Sequence, residues 1–400
     1  MQANISDKNY KYLFYILFCF SIFALIYVAS TLSISYKEAL NVLDNKSLLT
    51  FITFPLLHYF PGNDIALRLP FILFYAMSTC LMYVLTKDYF KYESDRFINI
   101  VLFMMLPGMV SAAILVNTAI IVLFFTLLYL YYYKVFGKHN YYILFFCLLI
   151  DNSFAILYLA LFFYAFEKKY NKLFYISLIL FGASMSIYGF DTGGKPRGHL
   201  LDTFAIYASV FSPLMFIYFF YSQYRIAVKG YRSIYWYISF VALVFSLLFA
   251  FRQKVYIEDF APFVIIAMPL MVKLFFHTFR VRLPAFRRFH YFMAILVFFI
   301  LLLNYSLIFY NKPIYLFLEK SKRHFVYKYS FAQELSVYLK EKNVNYVYSD
   351  DKEIMKRLNF YQIDSGDKYY LTTNEVYKNE YQFKFEFKYK NKEIVTYYIK

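Results

Sequence analysis

A short cationic turn and a few acids hold most of the chemistry open to this chain. In Arg252-Gln-Lys-Val-Tyr-Ile-Glu-Asp-Phe-Ala-Pro262, Arg252 and Lys254 stand between two apolar runs, 233–251 and 260–279. Each run has the roughly 20 residues that a helix needs to cross a ~30 Å hydrocarbon layer. A guanidinium grips two phosphate oxygens at once and an ammonium adds a point charge, so such a turn suits a lipid phosphate. A second pair, Lys195 and Arg197, lies in Asp191-Thr-Gly-Gly-Lys-Pro-Arg-Gly-His199, where three glycines let backbone N–H groups approach an anion. The ordinary role of both pairs is contact with lipid head groups. Glu38 and Asp44, on a short helix predicted to start at Tyr36, are the acids of the first long connection, and solvation is their ordinary role. Arg68, at the end of the span that follows, either snorkels or orients that connection. Asp151, in Asp-Asn-Ser153, interrupts an apolar stretch: it either lines a cavity or caps the next helix.

Positioning these residues falls to membrane-spanning helices. Of 400 residues, 61% are hydrophobic and 17% charged, with 51 Phe, 46 Tyr and a single Trp; soluble domains carry about 25% charged residues. The net charge of +17 is spread through short loops and a tail rather than gathered in a stripe, which argues against nucleic acid. Cys19, Cys80 and Cys147 sit inside apolar runs with no metal spacing and no disulfide framework. The six histidines are scattered, no catalytic triad order or phosphate-binding loop occurs, and no metal site is expected.

Apolar runs near 10–32, 65–86, 97–113, 116–133, 141–150, 152–166, 172–190, 202–222, 233–251, 259–279 and 290–311 predict about eleven crossings. The two runs between 141 and 166 are short enough to be one re-entrant pair instead. Alternate connections hold Lys87, Lys91, Arg96, Lys134, Lys138, Lys168, Lys169, Lys172, Arg225, Lys229, Arg232, Arg280, Arg282, Arg287 and Arg288. Their counterparts hold only Lys37, Lys46, Lys195, Arg197, Arg252 and Lys254. Cations collect on the cytoplasmic side, which puts the N-terminus inside and everything after about residue 312 outside. Leu48 to Phe60 is too short to cross and suits an interfacial helix; Pro61-Gly62-Asn63-Asp64 ends it as a turn.

The chain resembles the GT-C class of integral membrane glycosyltransferases, specifically the family of the aminoarabinose transferase and the protein O-mannosyltransferases. The stretch that carries the likeness is Lys46-Ser47-Leu48, the run to Phe60, Pro61-Gly62, and Leu67-Arg68-Leu69-Pro70-Phe71. In the second half, Arg252, Lys254, Tyr256 and Pro262 fit the family's cationic turn. The resemblance implies a sugar taken from a polyprenyl-phosphate carrier on the outer face of a bacterial inner membrane. It also implies a carboxylate base, Glu38 or Asp44, and a carrier phosphate held by Arg252, Lys254 and Tyr256 with Lys195 and Arg197. Lys46, Arg68, Asn117 and Asp151 are further cavity candidates. Leu32 and Ser33 stand where the family has an Asp-Glu pair, and Asn117 where it has a second aspartate. Three readings therefore stand: an active transferase, a non-catalytic lipid-phosphate-binding or assembly protein, and a transporter. No cofactor is called for beyond the lipid-phosphate sugar itself; a divalent cation is possible but nothing indicates one.

After Tyr310 the pattern changes to short alternations. Ser330-Phe-Ala-Gln333 predicts a capping box opening a helix to about Lys342. Strands are predicted at 344–348, 360–363, 381–389 and 393–399, with a short helix at 351–358. The predicted fold is thus an all-α membrane domain, 1–311, followed by a small periplasmic α/β domain, 312–400.

Overall fold

The computed structural model describes residues 7–44, 47–189, 198–316, 324–374 and 381–400. Among these, five helices are long and apolar enough to cross a membrane: Asn9–Thr31, Asp64–Leu85, Ala119–Phe136, Glu258–Val281 and Pro284–Phe309. Two bent pairs bring the number to seven. Glu93–Met105 meets Pro107–Ile114 at 50°, and Leu200–Phe211 meets Pro213–Lys229 at 103°. Each break falls where a proline opens the second helix, because proline donates no N–H and pushes its predecessor out of helical backbone. The residue before the second break, Ser212, has φ +78°. The runs predicted at 97–113 and 202–222 are therefore bent rather than straight. Tyr141–Leu148 has 8 residues, only ~12 Å of helix. Phe154–Lys168 and Ile234–Ala250 have 15 and 17. Length and apolarity thus give five to seven candidate spans; the runs at 141–150, 152–166 and 233–251 fold as shorter helices, and Asn171–Tyr188, at 18 residues, is not among the candidates.

Packing divides the chain into two compact units. The first comprises residues 1–22, 73–113 and 117–306 and is helical; the second comprises 23–72, 114–116 and 307–400. Hydropathy changes near 311, but packing also assigns residues 23–72 to the unit that holds the tail.

In the second unit, strands β1 (Tyr346–Tyr348), β2 (Asp364–Thr372), β3 (Phe383–Tyr389) and β4 (Lys392–Ile399) form one sheet in the order β1-β2-β4-β3. The β1–β2 pair is parallel and the other two are antiparallel. Phe385 and Phe387 turn inward from β3 and Lys388 stays exposed, which is the alternation a one-sided strand requires. The strand predicted at 360–363 is not one. Phe360 closes the helix Lys352–Phe360, Gln362 turns the chain at φ +64°, and β2 begins at Asp364. Phe360, Tyr361 and Ile363 are buried by that turn.

Nor does the capping box at 330–333 form. Phe331, not Ser330, is the N-cap of the helix Ala332–Glu341, in left-handed backbone at φ +56° with no side-chain cap of its own. The Ser330 hydroxyl instead donates to the Val326 carbonyl at 2.7 Å. The Gln333 N–H donates to Oγ of Ser33, 300 residues away, at 3.1 Å. A real capping box forms where none was sought. Ser35 caps the helix Tyr36–Leu43, and Glu38 returns the bond to the Ser35 N–H.

Candidate functional site

A densely bonded polar cluster among the described residues of the second unit is built on Arg68. The helix Asp64–Leu85 starts at Asn63, whose Oδ1 accepts from the N–H groups of Ile65 and Ala66 at 2.8 and 3.1 Å. One turn in, Arg68 is wholly buried. Its Nε donates to the Ile114 carbonyl at 2.9 Å, Nη1 to the Leu32 carbonyl at 3.0 Å, and Nη2 to the Ser33 carbonyl at 3.2 Å. Nη1 also meets Asp64 Oδ1 at 3.0 Å, and Nη2 lies 3.6 Å from Glu38 Oε2. A buried guanidinium is tolerated only when its donors and its charge are both answered, and here they are.

The acids around it are equally engaged. Glu38 Oε2 accepts from the Ser35 N–H at 2.9 Å and the Ser35 hydroxyl at 3.0 Å. Its Oε1 accepts from the Val116 N–H at 3.0 Å. Asp64 Oδ2 accepts from the Tyr361 hydroxyl at 2.7 Å, and that hydroxyl oxygen accepts from the Ile34 N–H at 3.0 Å. Burial first, and then the Asp64 charge, push the Tyr361 phenol well above its ordinary range. Arg357 completes the cluster. Its Nε donates to the Ile34 carbonyl at 2.8 Å and its Nη2 to the Ser330 carbonyl at 2.6 Å, with the guanidinium 4.8 Å from the centre of the Phe331 ring. Burial pulls the Arg357 pKa below its ordinary value. The cluster holds two arginines and two carboxylates, and of the arginines only Arg68 contacts the carboxylates.

Residues 32–34 explain why so many donors converge. They are irregular, buried backbone, and every polar group of such a segment needs a partner. Arg68 takes the carbonyls of Leu32 and Ser33, and Arg357 takes that of Ile34. The Ser33 N–H reaches the Tyr329 carbonyl at 3.0 Å. At the two positions where the resemblance expects acids, backbone carbonyls meet Arg68 instead.

The remaining predicted residues are dispersed. Asp44 ends the helix Tyr36–Leu43 and pairs with Lys356, its side chain 43% exposed. Asn117 Oδ1 accepts from the Ala119 N–H at 3.1 Å at the head of the helix Ala119–Phe136. Asp151 Oδ1 accepts from the Ser153 N–H at 2.8 Å, the bond of a turn that opens the next helix, and the Ser153 hydroxyl lies 3.3 Å from Asp259 Oδ1. Arg252, Lys254 and Tyr256 are exposed in the first unit, around the buried Val255. Neither cation has an ion pair among the described residues. Lys46, Lys195 and Arg197 lie outside the described residues. Among the described residues no three His, Cys, Asp or Glu side chains come together to hold a metal ion.

Sequence reasoning missed Asp64, Arg357 and Tyr361. Asp64 and Arg68 stand four apart on a helix, a legible ion-pair spacing. Ser35-Tyr-Lys-Glu38 is likewise a legible capping box. Nothing local marks Arg357 or Tyr361, which reach back about 300 residues to Ile34 and Asp64. No family model matches the chain, and no curated protein matches it.

Proposed function

We propose that the chain is a membrane glycosyltransferase of the GT-C kind. It moves a sugar from a polyprenyl-phosphate carrier to a lipid, glycan or protein acceptor on the outer face of a bacterial inner membrane. The apolar spans, the small C-terminal α/β fold and the use of Leu67-Arg68-Leu69-Pro70 as a buried hub all support this reading. One observation carries the assignment of roles: the acids of the first outer connection divide into engaged and accessible. Glu38 and Asp64 have their oxygens committed to protein donors, whereas Asp44 keeps a partly exposed carboxylate beside Lys356. Asp44 is then the base that takes the acceptor's proton as the acceptor oxygen bonds to the sugar and the sugar–phosphate bond breaks. Glu38 and Arg68 are positioning residues. The resemblance gives the phosphate role to Arg252, Lys254 and Tyr256, which are exposed in the first unit and whose two cations have no ion pair among the described residues. The loop cations support an inside N-terminus and an outside C-terminal domain.

Turnover of a radiolabelled polyprenyl-phosphate sugar by the purified protein in nanodiscs tests this. Asp44→Asn is expected to lower turnover about 100-fold or more with the melting temperature unchanged; full turnover in that variant removes the assignment. A second reading, carrier binding without turnover, is favoured by the backbone carbonyls and the helix cap that replace acids at Leu32, Ser33 and Asn117. Carrier bound by the wild type with no transfer to any acceptor selects it.

A further inference from the structure

A cavity of about 370 Å³ in the first unit opens among Tyr133, Lys138, His139, Tyr141, Tyr170 and Lys172, around Gly137. We propose that it is a binding site for a phosphate-bearing anion, distinct from the cationic turn at 252–254. The turn that makes it is local. Gly137 ends the helix Ala119–Phe136 in left-handed backbone, and Asn140 caps Tyr141–Leu148 through the N–H groups of Tyr142 and Ile143. A Cβ at Gly137 would meet open space, so its φ of +64° is what selects glycine there.

The lining has two lysines, no carboxylate, and the rings of Tyr133, His139, Tyr141 and Tyr170. Neither Lys138 nor Lys172 pairs with an acid among the described residues; Lys172 lies 5.0 Å over the Tyr141 ring. Lys134, one turn before, differs: it is answered by Asp88 at 2.8 Å. Two unanswered ammonium groups on a concave, partly dry wall raise the local concentration of anions. His139 lies nearly parallel on Tyr133 at 4.4 Å, and its Nδ1 is 2.7 Å from the Tyr129 hydroxyl. With that hydroxyl donating, the ring proton stands on Nε2, and the imidazole adds a neutral donor rather than a third charge. Neutral N–H and O–H donors beside two point charges are the donor set that phosphate oxygens take. Lys138 and Lys172 belong to the cation-rich set of connections, opposite in charge bias to the turn at 252–254. The ligand is either a soluble phosphate compound or the head group of an anionic lipid.

Calorimetry with pyrophosphate on the full chain in phosphatidylcholine nanodiscs reads the first source. Native mass spectrometry after reconstitution with phosphatidic acid reads the second. In either arm, Lys138→Gln with Lys172→Gln should weaken binding at least about tenfold, and added salt should weaken the wild type as well. Lys91→Gln, on another loop, should change neither. Should the double variant melt early, the single Lys172→Gln carries the same expectation of weakened binding. No binding of pyrophosphate and no phosphatidic acid adduct overturns the proposal, as does binding that ignores the lysines.

Discussion

Arg68→Ala is the sharpest perturbation of the second unit. The change leaves Glu38 and Asp64 as buried carboxylates with no cation in contact, and strips donors from the carbonyls of Leu32, Ser33 and Ile114. Removing one member of a buried ion pair costs about 3–5 kcal/mol, because the remaining charge stays desolvated. Each orphaned buried carbonyl adds about 1–3 kcal/mol, less whatever water enters to replace the side chain. The losses share one site and do not add, so about 4–6 kcal/mol is the expected total. Folded domains commonly have about 5–15 kcal/mol to lose. The second unit should then open while the helices of the first persist. Limited proteolysis reads this directly: new cleavage within 324–374 in the variant, none in the wild type. Adding Asp64→Asn to Arg68→Ala removes one stranded charge and should recover part of the loss. A melting temperature within about 2 °C of wild type, with unchanged proteolysis, would refute the account of Arg68 as the hub.

Other outcomes follow from single contacts. Ser33→Ala removes the hydroxyl that accepts from the Gln333 N–H. A lost N-cap costs about 0.5–2 kcal/mol, and hydrogen exchange across 332–341 should quicken; unchanged exchange counts against capping from a distance. Burial lowers the His139 pKa to about 4 from its ordinary 6.5. The unfolded chain therefore binds a proton that the folded chain refuses between those values. Stability from this group is complete above about pH 6.5 and falls as the pH drops toward 4. Wild type should lose more melting temperature than His139→Gln between pH 7.5 and 5, and equal losses would place the ring in water.

Much of this could be read along the chain. Run length and apolarity placed the ends of several helices within a few residues, such as Asp7–Thr31, Asp64–Leu85 and Ile234–Ala250, and the Tyr381–Tyr389 alternation marked β3, because those signals depend on neighbours in sequence. Proline positions were equally visible, yet the bends at Leu106–Pro107 and Ser212–Pro213 were passed over because hydropathy is blind to direction. The loop at Pro61-Gly62-Asn63 was legible for the same local reason: Gly62 takes φ +69°, and Asn63 caps the helix that follows.

Tertiary structure alone decided what the polar residues do. Glu38 and Arg68 look alike in sequence whether they face substrate or backbone. Only folding shows that residues 32–34 run irregular and buried, and such a segment needs donors and acceptors wherever the chain can bring them. Those partners, Arg357, Tyr361 and Gln333, come from about 300 residues away, a separation at which no local pattern carries information. Local sequence determined helices long and apolar enough to cross a membrane and, by its alternation, a small sheet fold at the end of the chain. The need to satisfy buried polar groups decided that the first connection and the tail fold as one unit.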